Sequence, residues 1–271
     1  MTPVYVVAEI GINHNGSLSQ ALKMMEVAKQ CGADAVKFQK RTVELCYTPE
    51  ELAKPRESVF GTTNGDLKRG LEFGTGQYEE IFSYAQKLGL ECSASAWDVP
   101  SVHFLAQMQV PWIKVPSALL TNTDILTACS RTTIPIWLST GMSTQEEVER
   151  AVAQSTPAVL FHCHAAYPSP LEELNLSLIP SMKQRWGGVM GYSSHSVSPW
   201  PCLMAVCLGA QVVEAHLTLD RSQWGSDQAA SLEPHAFAKL VEEIRTFERA
   251  YGDGIKRVWP SELPAKEKLR R

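Results

Sequence analysis

Several features are missing from this 271-residue chain, and each absence excludes something. Its seven cysteines (31, 46, 92, 129, 163, 202, 207) never form a C-x-x-C pair. That argues against a thiolate zinc site or a disulfide framework and for reduced, mostly buried thiols. No apolar window approaches membrane-spanning length, so no membrane partner is expected. Net charge is −4 and no long basic run occurs before the tail, which speaks against nucleic acid as a partner. The N-terminus enters a strand-like run, Val4-Tyr5-Val6-Val7-Ala8, without a basic segment followed by a long apolar one. No secretory leader is therefore expected, and a cytoplasmic location is. A glycine-rich dinucleotide turn is also lacking, because Gly11-Ile12-Asn13-His14-Asn15-Gly16 does not fit G-x-G-x-x-G.

What is present is a rhythm. Short apolar runs at 4–10, 35–39, 91–96, 112–116, 135–139, 158–163, 188–193 and 212–217 alternate with amphipathic stretches near 18–31, 77–88, 101–108, 123–130, 144–154, 175–185, 198–208 and 234–249. Ser17 precedes the first amphipathic stretch, Ser143-Thr144-Gln145-Glu146-Glu147 opens the fifth as a capping box, and Gly32 and Gly89 read as helix stops. Runs that are apolar on both faces suit a parallel sheet covered by helices. Eight β/α units in about 250 residues predict an α/β fold, a single-domain (β/α)8 TIM barrel over 1–250, with an open doubly wound sheet as runner-up. Residues 41–75 form a long proline- and glycine-punctuated insertion, expected to cover substrate, and 251–271 read as a charged surface tail.

The polar residues collect at the C-terminal ends of these strands, where TIM barrels keep their chemistry. Period-two alternation puts Lys37 with Gln39, Ser93 with Ser95 and Trp97, His162 with His164, Gly191 and Ser193 with His195, and Glu214 with His216 on shared faces. Two lysines inside strands, Lys37 and Lys114, need anionic partners. Either carboxylates such as Glu9 and Glu214 pair with them, or they bind an anionic ligand together with the hydroxyls of Ser95, Ser117, Ser139 and Ser193. His195 and His216 on neighbouring strands would bring two imidazoles together with a carboxylate beside them, a place for a metal.

The stretch Ala8-Glu9-Ile10-Gly11-Ile12-Asn13-His14-Asn15-Gly16 resembles the opening of the sialic acid synthase (N-acetylneuraminate synthase) family. The motifs Gly32–Gln39, Ile113–Ser117, Leu138–Met142 and Gly191–His195 follow in the family's order. The resemblance implies an enzyme, a phosphoenolpyruvate-dependent C–C bond-forming transferase. It would condense phosphoenolpyruvate with an aldose or other aldehyde acceptor, giving a 2-keto-3-deoxy acid and phosphate. It implies a divalent metal on His195 and His216, foremost Mn2+, with Mg2+, Co2+ and Zn2+ as alternatives, acting as a Lewis acid on the aldehyde. Glu9, Lys37 and Lys114 would be catalytic. Ser95, Ser117, Ser139 and Ser193 would hold phosphoenolpyruvate beside the lysines, and Gln39, Tyr167 and Asp227 would face the sugar. A homodimer is the implied assembly.

Three departures from the family pattern bear on the acceptor. Leu119 stands where an acidic residue usually contacts sugar hydroxyls, and Ala165 where an asparagine lies near phosphoenolpyruvate. The chain also ends at Arg271 without the antifreeze-like domain that delivers an arginine from the partner subunit. The expectation is retained phosphoenolpyruvate chemistry with an altered acceptor, walled by Trp97, Trp200 and Trp224 and served by Arg221, Arg69 or the basic tail in place of that arginine. Two other readings stand beside it. One is a different metal-dependent TIM-barrel hydrolase or lyase, for which His162-Cys163-His164 has ligand spacing. The other is a non-catalytic paralogue that binds a phosphorylated ligand.

Overall fold

The computed structural model describes residues 2–270. Met1, and Arg271 at the end of the expected tail, lie outside the described residues. Eight parallel strands close on themselves: Tyr5–Gly11, Ala35–Lys40, Glu91–Ala96, Ile113–Val115, Ile136–Ser139, Val159–Cys163, Val189–Ser194 and Val212–His216. Each pairs with its chain neighbours, and the first pairs with the last through Tyr5↔Val212 to Glu9↔His216. A closed ring leaves no edge and rules out the open doubly wound sheet.

The expected elements are in place. Ser17 caps the helix Leu18–Gln30 by accepting from the Gln20 backbone N–H. Thr144 and Glu147 form the reciprocal capping box of Gln145–Ser155. Gly89 ends Thr75–Leu88 in the left-handed region, at φ +63°. The helices bury their apolar faces on the outer faces of the strands in one large core that includes Val6, Ile10, Met24, Val36, Phe38, Ile113, Leu138 and Phe237.

The inward faces divide into two layers. Toward the N-terminal ends, Val7, Ala35, Trp112, Trp137, Val159, Phe161 and Val212 form a separate apolar cluster. Trp112 and Trp137 stack at 3.9 Å, and Trp137 meets Phe161 at 5.4 Å. A Cβ at Gly191 would lie 2.5 Å from the Phe161 ring, so only glycine leaves that ring its place. This plug fills the barrel floor. The charged and polar groups of the chamber lie above it.

The insertion is more structured than a bare loop. It holds short helices at Val43–Cys46 and Pro49–Ala53, a hairpin of Pro55–Ser58 with Gly61–Thr63, and the helix Asn64–Leu71. Phe60 lies edge-on to Trp224 at 6.3 Å, and Gly16 at φ +74° lets the first top loop approach Gly70. The segment braces neighbouring loops, and no residue of 42–75 lines the central chamber. Beyond the last barrel helix, Pro234–Tyr251, the tail is largely exposed and carries a short helix, Leu263–Leu269. None of the described helices is long and apolar enough to cross a membrane.

Candidate active site

Parallel register decides which side chains meet at the barrel mouth. Glu9 stands opposite Lys37 on one side and His216 on the other. Gln39 is level with Ser95, Ser95 with Lys114, and Ser193 with Glu214. Their side chains converge on one chamber above the plug, with Ser117, Ser139, Tyr167 and His195 on its walls.

Two ammonium groups and two carboxylates interlock at its base, all at most 3% exposed. Lys37 Nζ is 2.6 Å from Glu9 Oε2 and 3.6 Å from Glu214 Oε1, and it donates to Ser95 Oγ at 2.8 Å. Lys114 Nζ is 2.7 Å from Glu214 Oε1 and lies 4.4 Å over the Phe161 ring, which joins the chamber to the plug. Ser193 Oγ donates to the same Glu214 oxygen at 3.1 Å. Carboxylate pairing of the lysines is thus built in. The lysines still face an open chamber ringed by hydroxyls.

Burial and charge set the titration of this cluster. Burial pushes Glu9 upward, and although Lys37 opposes that shift, the neighbouring Glu214 charge adds to it. Burial acts on Glu214 in the same sense, but the ammoniums of Lys114 and Lys37 outweigh it and hold that carboxyl low. Lys37 moves up, because Glu214 and Glu9 overcome its desolvation. Lys114 moves down, because burial wins over Glu214 alone. The two carboxylates are therefore unlike. Glu214 is held below the ordinary carboxylate range and Glu9 is raised above it.

Gly11 makes room for this geometry. At φ +54°, a Cβ there would come within 3.0 Å of Glu9 Oε1 and 3.2 Å of Gln39 Nε2. Gln39 donates that amide hydrogen to Glu9 Oε1 at 3.3 Å.

The two imidazoles lie side by side, ring centroids 5.4 Å apart. His195 Nδ1 contacts the His164 carbonyl, which only accepts, so Nδ1 carries the hydrogen and Nε2 keeps its lone pair. Tyr167 stacks on this ring at 4.0 Å and donates its hydroxyl to Nε2 at 2.8 Å. Burial, aided by His216, lowers His195 to about 3, so the ring is neutral. His216 Nδ1 is buried without a hydrogen-bond partner. Two adjacent imidazoles, one of them His195 with its lone pair at Nε2 where Tyr167 donates, are donors of the kind a divalent cation takes. Among the described residues no group of three or more His, Cys, Asp or Glu side chains is arranged to hold a metal. Two imidazoles would be the protein's whole share, and the remaining positions would fall to water and substrate oxygens.

Some expected site residues lie elsewhere. Asp227 does not line the chamber. Its Oδ2 stands 3.9 Å behind His216 Nδ1, because the loop after the eighth strand folds back onto the barrel. His162 and His164 also point away from it. His162 Nε2 donates to the Leu174 carbonyl at 2.6 Å, and His164 Nε2 is 3.0 Å from Glu173. Their shared face is the helix-facing one, which removes the hydrolase-type ligand pair. Of the three tryptophans only Trp97 lines the chamber, while Trp200 is 55% exposed and Trp224 packs against the insertion. Leu119 packs into the helix-side core, and Ala118 takes its expected place in the wall. Arg221 bonds the Ala229 carbonyl and Arg69 pairs with Glu44, so neither reaches the site. Sequence reasoning placed Glu214 in phase with His216, as a partner for the lysines and a carboxylate beside the imidazoles, and passed over Arg41 and Cys163.

Comparison with known proteins matches this arrangement to one family. The profile of the NeuB family matches residues 24–256. The chain is 39% identical to the N-acetylneuraminate-9-phosphate synthase of Mus musculus, over 98% of its own length and 76% of that relative's.

This chain belongs to the NeuB family.

A second relative, the N,N'-diacetyllegionaminic acid synthase of Campylobacter jejuni, is 35% identical over 97% of the chain and 81% of its own length. Among solved structures, the N-acetylneuraminic acid synthetase of Leptospira borgpetersenii, crystallised with citrate, superposes with a TM-score of 0.87 at 30% identity. That match covers all of this chain and 93% of the other. The NeuB resemblance read from the motifs therefore extends through the whole barrel.

Proposed function

We propose that this protein is a phosphoenolpyruvate-dependent synthase that condenses phosphoenolpyruvate with an aldehyde sugar to a sialic-acid-like 2-keto-3-deoxy acid. The observation that carries the reading is the paired ammonium–carboxylate cluster placed beside two imidazoles in one chamber. The names of the NeuB relatives, synthases of N-acetylneuraminate 9-phosphate and of diacetyllegionaminic acid, support the same reaction class.

In this reading Lys37 and Lys114 bind the phosphate and carboxylate of phosphoenolpyruvate, helped by Ser95, Ser117, Ser139 and Ser193. Ser139 Oγ is buried without a partner, so it has a hydrogen bond to give. A divalent metal, foremost Mn2+, held by His195 and His216 would supply Lewis acidity toward the acceptor's aldehyde oxygen. C3 of phosphoenolpyruvate forms the new bond to the aldehyde carbon, and the aldehyde oxygen takes a proton to become a hydroxyl. Water adds at C2 and gives a proton to Glu9, whose raised affinity for protons suits a general base. The tetrahedral centre then breaks the C2–O bond to the phosphate, its hydroxyl passes a proton to the departing phosphate as the C2 ketone forms, and the phosphate leaves against the two ammonium groups. Tyr167, at the mouth, and Gln39 face the acceptor.

Trp97, Ala118, Met142 and Ala165 wall the acceptor side. Apart from one indole N–H, their side chains hold no hydrogen-bonding group. This favours an acceptor gripped less through its hydroxyls than by a polar wall. All seven cysteines are unbridged, which suits the cytoplasm.

The test is direct. With phosphoenolpyruvate, Mn2+ and a panel of aldoses, phosphate release is expected only when an acceptor is present. Release without acceptor, or none across a broad panel, defeats the assignment.

A further inference from the structure

We propose that Arg41, just past the end of the second strand, is a positioning residue. It orients the Gln39 amide and, through it, the Glu9 carboxylate. The consequence for turnover rests on the reading of Glu9 as the base, but the orienting role itself does not.

Arg41 is 6% exposed and does not line the chamber. Its guanidinium is fixed on four sides. Nε lies 2.8 Å from Glu72 Oε1, Nη1 donates to Tyr47 Oη at 3.0 Å, and Nη2 donates to Gln39 Oε1. The plane of the group rests 4.6 Å over the Trp97 ring. Such a planar, five-donor cation suits a buried fork that must reach several acceptors at once.

The chemistry of the donors settles the direction of the Gln39 amide. A guanidinium only donates, so the amide oxygen must face Arg41. The NH2 group is then turned the other way, onto Glu9 Oε1. Lys37 holds the other oxygen, Oε2. With both oxygens engaged, the carboxylate plane of Glu9 is set. Rotating the amide by half a turn would put its oxygen against an anion and its NH2 against a cation. Arg41, ion-paired with Glu72 at the end of the insertion, thereby reaches the centre of the chamber through its hydrogen bond to Gln39 and the one from Gln39 to Glu9. This gives residues 41–75 a role at the site although residues 42–75 do not line it.

The conservative variant Arg41→Lys keeps a cation for Glu72 but cannot span Glu72 and Gln39 together. In 15N–1H spectra, the Gln39 side-chain amide pair (identified by its loss in Gln39→Glu) is expected to move in Arg41→Lys. Kinetically, Arg41→Lys is expected to lower kcat about tenfold, as for loss of one charge-assisted contact. KM for phosphoenolpyruvate should stay within about twofold. In a Gln39→Ala background, Arg41→Lys should change kcat little further, because the arginine then has nothing to orient. An amide pair that stays at its wild-type position, or kcat losses that multiply in the double variant, overturns the proposal. If wild-type protein releases no phosphate, the reaction reading fails instead, and the amide measurement still decides the role of Arg41. If Arg41→Lys does not fold, Glu72→Gln takes its place. It loosens the arginine's anchor on the insertion, so the Gln39 amide pair is expected to shift, and a pair that stays at its wild-type position would overturn the proposal.

Discussion

The floor and the mouth of this barrel are built from the same strands, two residues apart, and they could hardly differ more. Val7 leads to Glu9, Ala35 to Lys37, Trp112 to Lys114, Trp137 to Ser139, and Val212 to Glu214. The floor is a dry plug of stacked rings. The mouth holds two cations and two anions at a burial nearly as complete. One step of the period-two repeat therefore separates packing from chemistry. The floor is stable on its own terms, because apolar groups want to be there. The mouth is tolerated only because each charge has a counter-charge, and an unpaired one would cost several kcal/mol.

That contrast can be broken from either side. The largest effect is expected from His195→Ala or His216→Ala. Each should strip bound metal and abolish turnover, while the circular dichroism spectrum and melting curve stay near wild type. An active, metal-loaded variant would remove the histidines from the site. Next comes the floor. Trp137→Ala should cost about 3–5 kcal/mol in denaturant unfolding, with kcat within a few-fold of wild type where the variant is folded. A large kcat loss in the folded variant would show that plug and chamber are not separable.

Third, Lys37→Ala should weaken phosphoenolpyruvate binding about 10- to 100-fold, as for a charge-assisted contact, and the acceptor far less. Equal losses for both substrates would mean that the unpaired Glu9 had disturbed the fold. The smallest effect at neutral pH concerns His14, packed behind the mouth against Phe73 at 4.1 Å and accepting from the Gly16 N–H. Burial lowers it from 6.5 to about 3. A histidine depressed in the folded state takes up its proton on unfolding, so stability is complete above pH 6.5. It falls as pH drops toward 3, by at most about 1.4 kcal/mol per pH unit for this group. His14→Asn should show a shallower acid decline in urea midpoints between those values. A slope equal to that of wild type would sink the attribution.

Legibility from sequence varied with the range of the interaction. Helix starts such as Ser17 and Thr144 are local events, governed by residues three apart, and they were readable. So was the in-phase pairing of Ser193 with His195 and of Glu214 with His216, because a strand's alternation needs no knowledge of its neighbours. The face of His162 was harder. The residues beside it, Phe161 and Cys163, are as apolar as an outward pair would be, so periodicity could not say which set entered the barrel. Asp227 and Trp224 sit in a loop and Leu119 in a single 3-10 turn, where no period applies and the path depends on what the segment packs against. Arg41 gave no signal at all, because a guanidinium one residue past a strand looks like any surface cation.

By itself, the sequence determined the eightfold β/α order, the motifs of the family and the residues able to do chemistry, since these follow from local periodicity and side-chain type. Only the tertiary structure decided that Glu214 holds both lysines, that Asp227 stands behind an imidazole, and that the two ends of the insertion meet through Arg41 and Glu72. Those outcomes depend on barrel register and loop docking, which bring together residues up to about 200 positions apart whose separation along the chain carries no trace of their contact.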